Sequence, residues 1–275
     1  MMFIDALRAA WAQNNSLVCV GLDPAPERFP GRLRGRPDAI FEFNRAIIDA
    51  TGDLVCAFKP QIAYYAAHGA EAQLAATIDY IHERFPGVPV ILDAKRGDIG
   101  STAAQYAAEA FDRFGADAVT INPYMGRDSA APFLGRPDRG VVILCRTSNA
   151  GAADFQDLLI DGRPLFEHVA EAIARDWNDH GNCMLVLGAT WPEQLGRVRS
   201  LVGDMPFLVP GVGSQGGDAQ AVVTQGQTHD GTGLVVNSSR GVLYADDGPD
   251  FAEAARGVVA DLRETLNRWR RSPGS

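Results

Sequence analysis

The segment ILDAKRGD, residues 91–98, places two carboxylates around one ammonium in the pattern D-x-K-x-x-D. Residues two apart on a strand face the same way, so Asp93 and Lys95 are expected to project together at a strand mouth. Asp98 follows within reach on the next loop. Nearby opposite charges favour each other's ionised forms. A lysine held charged and fixed in direction can give a proton to a developing carbanion. A carboxylate beside it can crowd a second carboxylate on a substrate. The plainer reading is a surface ion-pair cluster, and the apolar run that leads into the motif argues against it.

Lysine is scarce here. Of 25 basic residues only Lys59 and Lys95 are lysines, and arginine supplies the rest. Lysine can change protonation state within a site, whereas arginine in effect cannot. Lys59 closes another apolar run in AFKPQ. Lys59, Asp93, Lys95 and Asp98 can therefore form one alternating charge network across adjacent strands. A lone lysine laying its stem along apolar surface is an equal alternative on spacing alone. Asp23, in VGLDP, can accept from a ribose hydroxyl or a lysine, or can simply form a turn before proline.

Two late segments, PGVGSQGG (210–217) and NSSRG (237–241), have the makings of a phosphate site. Glycine lets backbone approach oxygen atoms closely. Arg240 can grip phosphate with a bidentate fork, and Gln215 can add a side-chain amide. Gly211, Gly213 and Gly216 spell GxGxxG, but the acidic residue of a dinucleotide site is missing from the next strand's end. No nicotinamide cofactor is expected. Ser148 in CRTSNAG can read the polar edge of a base. It lacks a nucleophile's GxSxG setting, and none of the five histidines stands at a strand end to serve it as base. No His/Cys/carboxylate set has ligand spacing, so no metal is expected. Cys19, Cys56, Cys145 and Cys183 each lie in apolar runs and read as buried free thiols.

The elements that must position these groups alternate. Apolar runs at 17–23, 54–59, 88–94, 117–122, 140–146, 183–189, 206–211 and 233–237 read as strands. Helical periods lie between them, as in Leu74, Ile78, Ile81 and Phe85, or Phe251, Ala255, Val258, Leu262, Leu266 and Trp269. Eight such units fit a (β/α)8 TIM barrel or an open doubly wound sheet. Nearly every run ends in a polar cluster, and only a barrel gathers all strand ends on one face. The expectation is a single α/β barrel domain over residues 1–275, with an N-terminal helix at about 3–13 and a long Pro/Gly/Arg-rich loop at 24–37. No apolar stretch is long enough to span a membrane, and the N-terminus does not read as a signal peptide. The net charge of −9 argues against nucleic acid as a partner. A cytoplasmic protein is expected.

The ordered set GLDP, FKPQ, LDAKRGDIGST, NPYMG, TSNAG, PGVGSQGG and NSSRG resembles the orotidine 5'-phosphate decarboxylase family, and more closely its longer bacterial branch, over about residues 16–245. D-x-K-x-x-D alone is shared with related barrel enzymes, and the full set is far more specific. The resemblance implies conversion of orotidine monophosphate to UMP and CO2 in de novo pyrimidine synthesis, without cofactor or metal. Its transition state would resemble a vinyl carbanion at C6 of the pyrimidine. Lys95 would protonate that carbon, and Asp93 would lie beside the scissile carboxylate. Lys59 and Asp23 would contact the ribose, Ser148 the pyrimidine, and Gln215 and Arg240 the phosphate. A homodimer is implied, with Asp98 and Thr102 reaching into the neighbour's site. The chain departs from the shorter members at Ser239, Arg240 and Gly241, where they carry a Gly-Arg pair. Magnesium-dependent sugar-phosphate relatives place a carboxylate where Lys59 stands, so Lys59 argues against their chemistry. A phosphate-ligand-binding protein without turnover is the remaining rival, and two lysines flanked by acids exceed what binding alone requires.

Overall fold

The structure is a computed structural model that describes residues 2–212 and 218–271. All eight expected apolar runs form strands, joined by one short ribbon that the sequence pattern does not announce. In chain order they are β1 (Val18–Leu22), β2 (Ala57–Pro60), β3 (Ile91–Arg96), β4 (Ala118–Ile121), β5 (Gly140–Arg146), the ribbon β6 (Leu159–Ile160) and β7 (Arg163–Pro164), then β8 (Cys183–Leu187), β9 (Phe207–Pro210) and β10 (Leu234–Ser238). Continuous apolar runs, with no alternation, are what a parallel sheet buried on both faces demands. Several boundaries move by one to three residues, and two of the shifts have a cause in the structure. β2 begins at Ala57, not 54, because the Leu54 N–H closes a turn on Thr51 O at the end of the preceding helix. β3 continues to Arg96, beyond the expected 94, for a reason given below.

The eight long strands form one parallel sheet in the order β2-β1-β10-β9-β8-β5-β4-β3. Its two ends meet. Phe58 bridges Val90, Gln61 bridges Asp93, and the Phe58 N–H donates to Pro89 O at 3.1 Å. The sheet is therefore closed, and the open-sheet alternative falls away. Spatial order follows chain order around the ring, as right-handed βα units require. The structure is the expected (β/α)8 barrel.

The helices of the outer layer are α2 (Ala39–Thr51), α3 (Ile62–Ala66), α4 (Glu71–Arg84), α5 (Gly100–Ala108), α6 (Arg127–Leu134), α7 (Leu165–Ala172), α8 (Pro192–Val202), α9 (Ala219–Gly226), α10 (Arg240–Leu243) and α11 (Phe251–Asn267). The helix α1 (Phe3–Gln13) precedes the barrel and plugs its N-terminal end. Trp11 Nε1 donates to Leu234 O at 2.8 Å, and the Phe3 ring fills the space beside Gly140, where no Cβ would fit. On α4, Leu74, Ile78 and Ile81 are buried in the expected phase. On α11 the inner face passes through Val259 instead of Val258, and Trp269 lies beyond the helix, exposed.

The segment 24–37 is more ordered than a loop that merely connects. It holds a 3-10 turn at Pro26–Arg28 and buries Phe29 and Leu33. Phe29 stacks on Phe43 at 4.3 Å, and Phe43 in turn stacks on Phe251 at 5.1 Å. The segment is thereby pinned over α2 and α11. All four cysteines are free and buried, and burial pushes the thiols of Cys19, Cys145 and Cys183 up to about 12. Among the described residues, no helix is long and apolar enough to cross a membrane.

Candidate active site

The closing seam of the barrel brings Lys59 on β2 against Asp93 on β3. Lys59 Nζ lies 2.8 Å from Asp93 Oδ2, and Lys95 Nζ lies 2.5 Å from Asp93 Oδ1. Lys59 and Asp93 are 4% and 6% exposed, whereas the Lys95 side chain is 47% exposed and faces the mouth. Burial opposes the Lys59 ammonium, but the Asp93 and Asp23 carboxylates outweigh it and hold its pKa above the ordinary lysine value. Burial likewise opposes the Asp93 carboxylate, and Lys59 and Lys95 together keep it well below the usual range. A buried ion pair is stable only when its geometry and remaining hydrogen bonds are good. Here both carboxylate oxygens are engaged, and the buried Lys59 and Asp93 hold each other charged.

Asp93 and Lys95 meet as expected, but not by regular strand alternation. Lys95 has φ +47°, a left-handed conformation that is strained for a side-chain-bearing residue by on the order of 1–3 kcal/mol. The β3–β4 ladder pairs Ile91 with Ala118 and Leu92 with Val119, then resumes at Arg96 with Ile121. Thr120 stands opposite the gap. Its Oγ1 accepts from the N–H of Ala94 at 2.9 Å and of Lys95 at 2.8 Å, and donates to Asp93 Oδ1 at 3.0 Å. This irregularity carries β3 two residues past its expected end.

Asp98 does not join the cluster within one chain. Its carboxylate is half-buried, accepts from the Ile99 N–H at 2.8 Å, and pairs with neither lysine among the described residues. The expectation of a four-member network inside a single barrel is corrected to three members. The reason is local: the Asp98 carboxylate is turned onto the N–H of Ile99, the residue that caps α5. Thr102 is exposed on the first turn of α5.

The adjoining arc of the mouth is built from the ends of β1 and β10. Asp23 follows β1, and its Oδ1 is buried without a hydrogen-bond partner among the described residues. The Asp23 backbone is anchored, since its carbonyl accepts from the Tyr244 hydroxyl at 2.9 Å and that hydroxyl accepts from the Ala25 N–H at 2.7 Å. Arg28 lies 3.8 Å over the Tyr244 ring. Asn237 closes β10. Its Oδ1 is likewise buried and unpartnered among the described residues, and its Nδ2 donates to Ser239 Oγ at 3.3 Å. Gly21 leaves room for Ser239 that any Cβ would remove. Arg240 opens α10 and is exposed. Gln215 lies outside the described residues, as does most of the GxGxxG segment.

Ser148 sits half-buried after β5, packed against Gly188, where an added Cβ would stand 2.9 Å from Ser148 Cβ. Its loop is held by Arg146, which is 2% exposed. Arg146 donates to Thr147 O at 2.8 Å, Gln194 Oε1 at 3.0 Å and Asp157 Oδ2 at 3.0 Å. Gln156 accepts from the Thr147 N–H at 2.8 Å. Sequence reasoning passed over Thr120, Asn237, Tyr244 and Arg146. Only the last carried a signal, as a charged residue ending an apolar run. Among the described residues no group of three or more His, Cys, Asp or Glu side chains is placed to hold a metal ion.

A closed barrel of parallel strands with its charged groups gathered at their C-terminal ends defines a (β/α)8-barrel enzyme. Comparison with known proteins narrows the class. The family model of the orotidine 5'-phosphate decarboxylase / HUMPS family matches residues 16–256. A curated orotidine 5'-phosphate decarboxylase of Azoarcus sp. is 63% identical over 270 residues, covering 98% of this chain and 100% of its own length. The protein of that name from Cellvibrio japonicus is 61% identical over 269 residues, covering 97% and 98%. Among solved structures, Leishmania donovani OMP decarboxylase superposes with a TM-score of 0.81 at 40% identity, over 96% of this chain and 99% of that one. Leishmania donovani UMP synthase gives 0.87 at 41% identity, and there 98% of this chain spans 56% of the longer protein. The chain belongs to the orotidine 5'-phosphate decarboxylase / HUMPS family.

Proposed function

We infer that this chain decarboxylates orotidine 5'-phosphate to UMP and CO2, as a carboxy-lyase of pyrimidine biosynthesis. The observation that carries the reading is the buried Lys59/Asp93/Lys95 cluster at the seam of the barrel, in a family whose nearly full-length relatives bear that name. In the mechanism the bond from C6 to the carboxylate breaks, its electron pair stays on C6, and the Lys95 ammonium delivers a proton there. Asp93, held ionised, stands beside the scissile carboxylate and aims Lys95. Lys59 contacts the ribose and keeps Asp93 charged. Asp23 offers its free carboxylate oxygen to a ribose hydroxyl, and Ser148 reads the pyrimidine edge. Arg240, with Gln215, binds the phosphate. Enzymes remove up to roughly 23 kcal/mol of barrier for many slow reactions, and here fixed charges and water exclusion must supply it. Binding energy from the phosphate and ribose, remote from the reacting carbon, closes the site.

A homodimer completes the reading, with Asp98 and Thr102 of each chain serving the neighbour's mouth. Its support is the exposure of Ile99, Tyr124 and Met125 at 58%, 85% and 44% on the adjoining loops after β3 and β4, apolar surface of the kind that marks an interface. A cytoplasmic location is part of the same proposal. Lys59 speaks against a magnesium-dependent sugar-phosphate reaction, because an ammonium stands where such a site needs an acid. The test is the fall in absorbance as orotidine 5'-phosphate becomes UMP, with and without EDTA. Turnover that ignores EDTA supports the reading. Folded protein without turnover, or turnover that EDTA abolishes, overturns it.

A further inference from the structure

We propose that Thr120 is a positioning residue for the decarboxylation, its hydroxyl setting the Asp93 carboxylate and the Lys95 backbone as one unit. The proposal rests on the reading of Asp93 and Lys95 as the reacting pair. A hydroxyl has one hydrogen to give and two lone pairs. Both lone pairs of Thr120 are taken by the N–H groups of Ala94 and Lys95, so its hydrogen has one remaining direction, toward Asp93 Oδ1. Thr120 is 1% exposed, and water does not compete for these bonds. Its β-branched side chain also has little freedom to swing away.

The ladder shows why the hydroxyl is needed. Asp93, Ala94 and Lys95 on β3 stand opposite Thr120 alone on β4. The strand backbone cannot satisfy the N–H groups of Ala94 and Lys95 there, and the Thr120 side chain does so instead. Without it the left-handed turn at Lys95 loses the bonds that hold it. There is a second consequence during turnover. Asp93 Oδ1 takes donors from both Lys95 and Thr120. Once Lys95 has given its proton to carbon, its neutral amine holds that oxygen less strongly. The Thr120 hydroxyl still holds that oxygen, as Lys59 holds the other, and the carboxylate keeps its place for the next cycle.

The test compares Thr120→Val, Thr120→Ala and Thr120→Ser with the wild type, and runs Lys95→Ala beside them. Decarboxylation kinetics and melting temperature are measured for each. Misplacement of a reacting group by an ångström can cost about 10²-fold in rate. Thr120→Val and Thr120→Ala are expected to lose about 10- to 100-fold in kcat with KM within threefold, and Thr120→Ser to stay within about fivefold. Folded Thr120→Val with kcat within threefold of wild type overturns the proposal. So does an equal loss in Thr120→Ser, or a loss confined to KM. Should the valine variant not fold, the alanine and serine variants decide by the same criteria. A Lys95→Ala protein active within tenfold of wild type would instead sink the underlying assignment, so the two failures are told apart.

Discussion

The two arcs of the barrel mouth are built on opposite principles. At β2, β3 and β4, the Asp93 oxygens, both lysine ammoniums and the Thr120 hydroxyl are joined to one another. At β10 and β1, Asp23 and Asn237 each keep a buried acceptor with no partner among the described residues, and Arg240 extends toward solvent. The first arc needs no rearrangement when the reaction begins, which is the condition for electrostatic catalysis by fixed charges. The second leaves its bonds for a ligand to make. An unsatisfied buried acceptor costs the free protein about 1–3 kcal/mol, and a ligand hydroxyl or amide that satisfies it recovers that energy as affinity. Chemistry is assembled in advance on one side, and recognition is left open on the other.

Variants can break that division, and the largest effect should fall on the assembled arc. Lys95→Ala is expected to lower kcat/KM by at least on the order of 10³, and Lys95→Arg to fail as well, since a guanidinium is a poor proton donor. Steady-state decarboxylation rates check this, and activity retained within about tenfold would remove Lys95 from its role. Arg240→Ala should act on the open arc, raising KM by on the order of 10²-fold with a smaller change in kcat, as loss of a charged phosphate contact does. An unchanged KM would show that the phosphate is held elsewhere.

A further pair of variants sharpens the contrast through stability. Lys59→Ala leaves the buried Asp93 with only Lys95, and breaking a buried pair costs about 3 kcal/mol, or on the order of 5–10 °C in Tm. Asp23→Ala removes a carboxylate that supports the Lys59 charge through space but makes no side-chain hydrogen bond through its buried oxygen, so its Tm should fall by much less. Calorimetry of the two proteins decides, and equal losses would erase the distinction between the arcs. The pH dependence follows with opposite signs. Asp93, with its pKa depressed, contributes stability present above the unfolded value of about 4 and lost as pH falls through its folded value. Lys59, with its pKa raised, contributes stability present below about 10.4 and lost as pH rises through its folded value. The contribution of the Lys59–Asp93 pair should therefore be indifferent to pH between about 5 and 10.

The smallest effect serves as a control away from both arcs. His82 lies 2.9 Å from Asp117 Oδ2, and that hydrogen bond raises the His82 pKa against the opposing effect of burial. Its contribution is present below about 6.5 and lost as pH rises through the folded value. His82→Ala should lower Tm by about a degree or two at pH 5.5 and by nothing measurable at pH 9, with decarboxylation unchanged at either pH. A Tm deficit that persisted at pH 9 would assign His82 a packing role instead.

Much of this was legible in the sequence. Strands buried on both faces show as unbroken apolar runs, and the D-x-K spacing put Asp93 and Lys95 on one mouth. The missing parts share a physical cause. Thr120 reads as an ordinary β-branched strand former, and its role exists only because β3 bulges beside it. Tyr244 matters through contacts to Asp23 and Ala25 more than two hundred residues away in the chain. Asn237 sits in a motif read for its phosphate-binding Arg240, and only burial shows its lone acceptor. The segment 24–37 looked like a connector because its anchoring residues, Phe29 and Leu33, are separated by Pro, Gly and Arg. Local pattern reports local geometry, and each of these features is set by a neighbour distant in the chain.

The scarcity of lysine makes the protein unusually suited to covalent counting. It offers two side-chain amines, and Lys59 is 4% exposed while the Lys95 side chain is 47% exposed. An acylating reagent should therefore find Lys95 before any other lysine, without a single engineered substitution. Substrate or product bound in the mouth would shield it. The fraction of chains acylated at Lys95, set against the activity that survives, would titrate the working sites in a preparation.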